Sequence, residues 1–308
     1  MSLKNLGYIE LPAHAKPGGF DHAAVHRATS RLYVAHTSND ALDVMDCVNE
    51  RYLHSIPNLT GVAGALVADE RNLIFTSNRG ENTVGIFTPE NETAIIKVGV
   101  GIRPNGLAYD PARNLLLAAN VGDPAIPNSF TVSIVDVSAR ALIANVPVAG
   151  RTRWAISDPQ TEMFYVNIAD PAQITMIDAR APTQITHTIA IPVAGPHGLD
   201  LDTARQRLFC ACDGRWLVVV DARSSTASRQ VEIGGVPDVI FFNAALKHLY
   251  VAIGDPGVIE VFDTDTLEKI ETVPTEKGAH TLAFDAATNK VYAFLPQTHR
   301  AAVYVDEA

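Results

Sequence analysis

One pattern recurs along the whole chain at an interval near 42 residues, and no other feature restricts its folding as tightly. A run rich in β-branched and aromatic residues ends in an acidic residue at Asp46, Asp136, Asp178, Asp221, Asp263 and Asp306, with Thr88 in the same place of the second unit. The successive spacings are 42, 48, 42, 43, 42 and 43 residues. Periods of roughly 40 to 50 residues belong to architectures in which one supersecondary unit is copied and each copy buries its apolar face against the next.

Upstream of each acidic position lies a second run: Leu32–Ala35, Leu73–Phe75, Leu115–Ala118, Met163–Val166, Leu208–Ala211, Leu249–Ala252 and Val291–Phe294. Bounded by Asn, Asp, Gly and Pro, these read as strands. A third run precedes them, clearest at Asn105–Asp110 and His197–Asp202, and a fourth follows the acid, as at Leu142–Pro147 and Thr188–Pro192. Four strands per unit predicts a β-propeller blade. Units begin near Asp21, Gly64, Asn105, Arg153, His197, Asp238 and His280, which predicts seven blades in one all-β domain over residues 1–308. The last unit runs out after three strands. Residues 5–12, in which Tyr8-Ile9-Glu10-Leu11-Pro12 reads like Thr188–Pro192, are expected to supply its outer strand and close the ring. Closure removes the open sheet edges that invite aggregation. An open solenoid would need polar capping repeats, and neither end carries one.

Composition agrees with such a fold and excludes several functions. Hydrophobic residues are 47% of the chain and charged residues 19%, enough apolar material for a large core. The formal net charge of −10 argues against nucleic acid as a partner. No apolar stretch reaches the length of a membrane helix, and residues 1–19 show no signal-peptide core, so the expected location is the cytoplasm, with a periplasmic precursor as the alternative. Three cysteines, Cys47, Cys210 and Cys212, are too few for a disulfide framework; Cys210 and Cys212 should share one face of a strand as small buried side chains.

On these residues the chain resembles the YVTN-repeat propellers, the group that includes YncE-like proteins. The likeness is carried by Leu32-Tyr33-Val34-Ala35, by Leu249-Tyr250-Val251-Ala252, by Ser77-Asn78-Arg79-Gly80-Glu81-Asn82-Thr83-Val84, and by inner-strand segments ending Asp110-Pro111-Ala112 or Asp285-Ala286-Ala287. It spans essentially the whole chain and implies the seven-bladed fold. Propellers related to this group include binding proteins, surface proteins and a few metal-dependent lactonases and lyases, so the resemblance implies no one activity. YncE-like proteins are commonly exported, and the present sequence departs from them in showing no export signal.

The innermost strands of a propeller line a central channel, and polar groups on the loops at its mouth form the usual ligand entrance. Six of the seven mouth positions, Asp21, Gly64, Asn105, Arg153, His197, Asp238 and His280, are polar or charged, and His22 and Trp154 adjoin two of them. Asp21, His197, Asp238 and His280 come from contiguous blades and are candidate ligands of a divalent metal. With a metal polarising a carbonyl or a bound water, Asp21 or His22 is the candidate general base, and Arg153 the group to steady an oxyanion or hold a substrate carboxylate. Asn105, Trp154, His36 and His299 are candidate ligand-binding residues, the two histidines as turn residues forming an outer shell of the funnel. His14, His54, His187 and His248 are expected in outer strands or on the opposite face. The turn Asn120–Ser129, source of the 48-residue spacing, is a candidate rim or lid. The bland alternative throughout is a channel whose polar lining binds ordered water.

The sequence contains no phosphate-binding glycine loop, no His-Glu-X-X-His, no Cys-X-X-Cys and no Gly-X-Ser-X-Gly. Two functions of different class therefore fit it: a funnel binding a small polar molecule, with a divalent metal and hydrolase or lyase chemistry as an extension, or a non-catalytic scaffold that engages a protein partner through its rim.

Overall fold

Each repeat folds as an up-and-down meander because its four strand-forming runs are separated by short polar turns. The repeated acid shapes one of those turns. The Asp46 carboxylate accepts the backbone N–H groups of Val48 and Asn49, Asp221 those of Arg223 and Ser224, and Asp263 those of Asp265 and Thr266. These Asx turns explain why the acid returns once per unit: a short side-chain oxygen stands in for the backbone acceptor that the turn lacks.

The computed structural model describes residues 3–307, and in it the repeats form seven antiparallel sheets of four strands each. Strand β1 is Leu3–Glu10. Blade one follows as β2 Phe20–His26, β3 Arg31–His36, β4 Ala41–Asp46 and β5 Arg51–Ile56, and blade two as β6 Val62–Ala68, β7 Leu73–Asn78, β8 Thr83–Thr88 and β9 Asn91–Gly99. Blade three is β10 Pro104–Asp110, β11 Leu115–Asn120, β12 Thr131–Asp136 and β13 Ala141–Pro147. Blade four is β14 Thr152–Asp158, β15 Met163–Ile168, β16 Gln173–Asp178 and β17 His187–Ala190. Blade five is β18 Pro196–Asp202, β19 Arg207–Cys212, β20 Trp216–Asp221 and β21 Thr226–Glu232. Blade six is β22 Pro237–Asn243, β23 His248–Ile253, β24 Val258–Asp263 and β25 Lys269–Pro274. Blade seven holds β26 Leu282–Asp285, β27 Lys290–Leu295 and β28 Arg300–Asp306.

The seventh sheet has the order β1-β28-β27-β26, so the N-terminal strand completes the last blade as the sequence predicts. Pairing runs from Leu3 opposite Asp306 to Glu10 opposite Arg300, with an irregularity at Asn5 and Gly7. The expected strand, residues 5–12, begins two residues earlier and pairs to Glu10, after which Leu11 still donates its N–H to the His299 carbonyl at 2.9 Å.

Adjacent inner strands touch all around the ring, including β2 with β26. The core lies between blades, not within one. Tyr33, Val44 and Ile56 of blade one meet Val62, Ile74 and Phe87 of blade two, and Leu117 and Ile134 of blade three meet Phe164 and Ile177 of blade four. Second and third strands are buried on both faces, which is why they read as continuous apolar runs, whereas outer strands such as β21 are almost wholly exposed. Full burial of each large side chain, Tyr33, Phe75, Tyr165, Phe209 or Tyr292 among them, contributes roughly 1.5–3 kcal/mol. Cys210 and Cys212 are buried side by side, their sulfurs 3.8 Å apart, and Cys47 is also a buried free thiol. Among the described residues no helix is long and apolar enough to cross a membrane.

Candidate functional site

Every inner strand but the last is irregular where it joins its sheet. Register shifts fall between Phe20 and Ala23, Val62 and Gly64, Pro104 and Leu107, Thr152 and Ala155, Pro196 and Gly198, and Pro237 and Ile240. A bulge leaves a residue unpaired and re-aims its side chain. Asp21, His22, Asn105, Arg153, Trp154, His197 and Asp238 all lie in these segments, and His280 precedes the point, Leu282, where β26 begins to pair. Gly106 and Gly198 follow two of the mouth residues, and a Cβ on either would strike the carbonyl of Arg153 or Asp238 on the next blade. That close approach of neighbouring inner strands narrows the funnel.

His197 stands at the centre of the polar group. Its Nδ1 lies 2.7 Å from Asp213 Oδ1 and its Nε2 3.2 Å from Asp238 Oδ1. Desolvation disfavours the charged ring, but the field of Asp238 and the hydrogen bonds to both carboxylates outweigh it and raise His197 to about 9. His197 is therefore an imidazolium at neutral pH, donating from both nitrogens. Burial likewise opposes the charge on Asp238, and His197 and His280 more than compensate, holding that carboxyl far below the usual range. His280 Nε2 is 3.8 Å from Asp238 Oδ2, and its Nδ1 faces the Gly278 carbonyl at 2.7 Å.

Beside His197 the charge reverses. Arg153 Nη2 reaches Asp213 Oδ2 at 3.2 Å, while its Nη1 sits 3.1 Å from His197 Nε2, two donors side by side. Arg79 Nη2 is 3.4 Å from Asp21 Oδ2. The Nε atoms of both guanidiniums are buried without an acceptor. Arg151 is close enough to Arg153, Arg103 and Arg79 that, after burial, their like charge lowers its pKa further, only partly offset by Asp213. Blades two to four thus present four arginines to one region, on a chain whose net charge is −10.

His22 lies beneath this level, buried, with Nε2 3.4 Å from Asp21 Oδ1 and its ring 4.1 Å from that of Trp154. Burial lowers its pKa against the fields of Asp21 and Asp238, so it is a neutral imidazole at pH 7. His22 and Trp154 separate the polar funnel from a cavity of about 410 Å³ that runs on between the inner strands. Leu66, Leu107, Ile156, Leu201, Phe241 and Phe284 line it, and the carboxyl in its middle, Asp200, is pushed up to about 6 by burial despite two backbone N–H bonds.

The remaining candidates lie elsewhere. Asn105 stays at the mouth, its side-chain oxygen buried without a partner and its carbonyl accepting from Ser77 Oγ at 2.7 Å. Trp154 turns toward the apolar cavity, packing on His22 and Phe241. His36, expected as a turn residue of the outer shell, is instead the last residue of β3. It is fully buried, with Nδ1 2.7 Å from the equally buried Asp43 and Nε2 2.7 Å from Nδ1 of His14. His299 stacks edge-on to His14 at 4.4 Å. The expectation for His14 is corrected: it sits in the segment joining β1 to β2, on the same side as His36 and His299, because that segment must cross from blade seven to blade one over their ends. The insertion in blade three folds on itself, with Ser129 Oγ accepting from the Asp123 N–H and donating to the Asp123 carbonyl.

Among the described residues, no group of three or more His, Cys, Asp or Glu is placed to hold a metal ion. His197, His280 and Asp238 are neighbours, but both His197 nitrogens are committed to carboxylates and Asp21 is engaged with Arg79 and His22. The four expected ligands do not form a donor set.

Asp213, Arg79, Arg103 and Arg151 were not singled out by sequence reasoning, although the repeat contains the signal. Arg79 and Asp213 are the first residues after the second strand of their blades, where other blades carry Thr37, Val121, Ala169, Gly254 and Pro296. Arg103 and Arg151 stand two before the mouth position, where others carry Gly19, Gly61, Gly195, Val236 and Gly278.

Fold and site together define a seven-bladed β-propeller with a charged axial funnel. No family model and no curated protein sequence matches the chain. Among solved structures it is similar to hydrazine synthase of Kuenenia stuttgartiensis, with TM-score 0.81, 12% identity, and 95% of this chain and 96% of that one covered. It is also similar to a chain in the crystal structure of a mitotic checkpoint complex, with TM-score 0.83, 11% identity and coverages of 98% and 91%. At such identities the likeness establishes the propeller fold alone, and the YVTN-repeat resemblance stands at that level.

Proposed function

We propose that the funnel binds a small organic anion, its carboxylate or similar oxyanion held by Arg79, Arg151 and Arg153 with Arg103 at the rim. The observation that carries this reading is the pair of buried guanidinium Nε atoms, on Arg79 and Arg153, that have no acceptor in the protein. Buried donors are nearly always satisfied, and a planar guanidinium is the group best shaped to grip an oxyanion. The rest of the ligand then faces Asp21, His22 and the His197–Asp238 pair. Neutral His22 is the side chain able to take a proton there, with Asp21 steadying the imidazolium that results, so ester or lactone hydrolysis, or elimination next to the bound carboxylate, is the chemistry this arrangement supports. Neither step is routed through a metal.

Titration calorimetry with succinate as probe tests the binding claim. Saturable 1:1 binding that weakens at least tenfold in Arg153→Gln supports it, since a charge-assisted hydrogen bond contributes about 1.5–3 kcal/mol. Absence of saturable binding of succinate and of inorganic phosphate, or binding indifferent to both Arg153→Gln and Arg79→Gln, overturns it. The rim-scaffold reading then leads; on its side stands Ile126, an exposed apolar residue on the blade-three insertion.

A further inference from the structure

The cavity beyond His22 and Trp154 differs in chemistry from the funnel above it. Most of its side chains are aliphatic or aromatic, with His22, Ser157, Asp200, Thr203 and Glu70 as polar ones among them, it reaches the turns after the inner strands at Glu70 and Thr203, and its volume of about 410 Å³ is within the range of small-molecule sites. No lysine or arginine lines it. The ionisable groups on its walls are His22 at the funnel end, Asp200 in the middle, and Glu70 and Tyr109 toward the other end. Its fixed charge is therefore negative, although the arginine group lies one level away.

Asp200 is unusual for its place in the repeat. The same register, read from the strand pairing, holds Ala24, Leu66, Ala108, Ile156, Phe241 and Ala283 in the other blades. Its Oδ1 accepts the N–H of Leu201 at 2.8 Å and its Oδ2 that of Phe242 at 2.6 Å, tying β18 to β22. A carboxylate offers about four acceptor positions, so each oxygen keeps one for a ligand. Burial pushes Asp200 up to about 6, the response of a carboxyl with no counter-charge nearby.

Aromatic rings stand beside it. Trp154 and Phe241 have centroids 6.4 Å apart, as do Phe241 and Phe284, and the backbone of Phe242 holds the carboxylate itself. Aromatic faces attract organic cations through the ring quadrupole, most strongly where water is excluded. We infer that the cavity is a binding site for a hydrophobic organic cation, an alkyl- or arylammonium, with its charge on Asp200 and its carbon skeleton against Trp154, Phe241 and Phe284. The site is independent of the funnel reading, since it uses neither the arginines nor Asp213 and Asp238.

The test compares a cation with a neutral molecule of the same shape: choline against 3,3-dimethylbutan-1-ol, with benzyltrimethylammonium as a larger probe, each titrated into the full chain by calorimetry. The expected result is saturable binding of both cations, with choline at least tenfold tighter than the alcohol. Asp200→Asn, which keeps an acceptor for the Phe242 N–H, should erase that preference while leaving the melting temperature near that of the wild type. Phe284→Leu, which keeps an apolar side chain there, should weaken benzyltrimethylammonium several-fold even if Asp200→Asn fails to fold. Equal binding of choline and the alcohol, cation binding unchanged in the variants, or no saturable binding of either cation would overturn the inference and leave a water-filled channel.

Discussion

The Nδ1 of His197 lies 2.7 Å from Oδ1 of Asp213, a residue 16 positions later on the next turn of the same blade, and the ring's other nitrogen faces Asp238 of the following blade. One imidazolium thus joins two blades at the funnel mouth.

The first prediction follows from the direction of that shift. A histidine raised from 6.5 to about 9 contributes stability that is fully present below pH 6.5 and is lost as pH rises through about 9. The wild-type melting temperature should fall between pH 7 and pH 10 more steeply than that of His197→Gln, and parallel curves would show that the charged ring contributes nothing.

His36 and Asp43 form a fully buried pair. His36→Ala leaves the Asp43 carboxylate with Ser55 as its remaining side-chain partner and should cost about 3–5 kcal/mol in urea unfolding. Replacing both by leucine should recover most of that loss. Losses that simply add would mean the two side chains do not act as a pair.

Closure depends on β1. Ile9 is buried among Phe20, Leu32, Ala301 and Val303, so it joins blade seven to blade one. Ile9→Ala should cost about 2–5 kcal/mol and raise aggregation on heating, read by light scattering, because weakened pairing exposes the edge of β28. Unchanged unfolding and scattering would mean the ring holds without this strand.

Elemental analysis of protein purified without a metal-affinity step should find no stoichiometric transition metal, because His197 is committed to two carboxylates. A stoichiometric metal that disappears in His197→Ala would contradict the anion reading and restore the four-ligand arrangement of Asp21, His197, Asp238 and His280.

The fold was legible because the repeat constrains it many times over. Strand runs, the recurring acid and the stray segment around Tyr8 each pointed to the same closed ring, and errors of one or two residues at strand ends did not alter it. The positions of the mouth residues followed from one aligned register, which slips by one residue in blade two, where the pairing puts Ala63 and not Gly64 in the place of Asp21 and Asn105. What the sequence hid was contact between registers. Asp213 meets His197 and Arg153 only because a turn folds back over a bulge, and the arginines converge from three blades. His14 lies in the single segment outside the repeat, where alignment gives no direction. Asp200 sits in a register that elsewhere is apolar, a departure visible in the aligned repeat but meaningful only once the cavity around it is seen.

The account rests on the funnel being an anion site, and a crystal soaked in bromide tests that most directly. Anomalous density within about 3.5 Å of the Arg79 and Arg153 guanidiniums, absent from Arg153→Gln crystals, is the predicted result. Bromide bound at surface lysines with none in the funnel would contradict it.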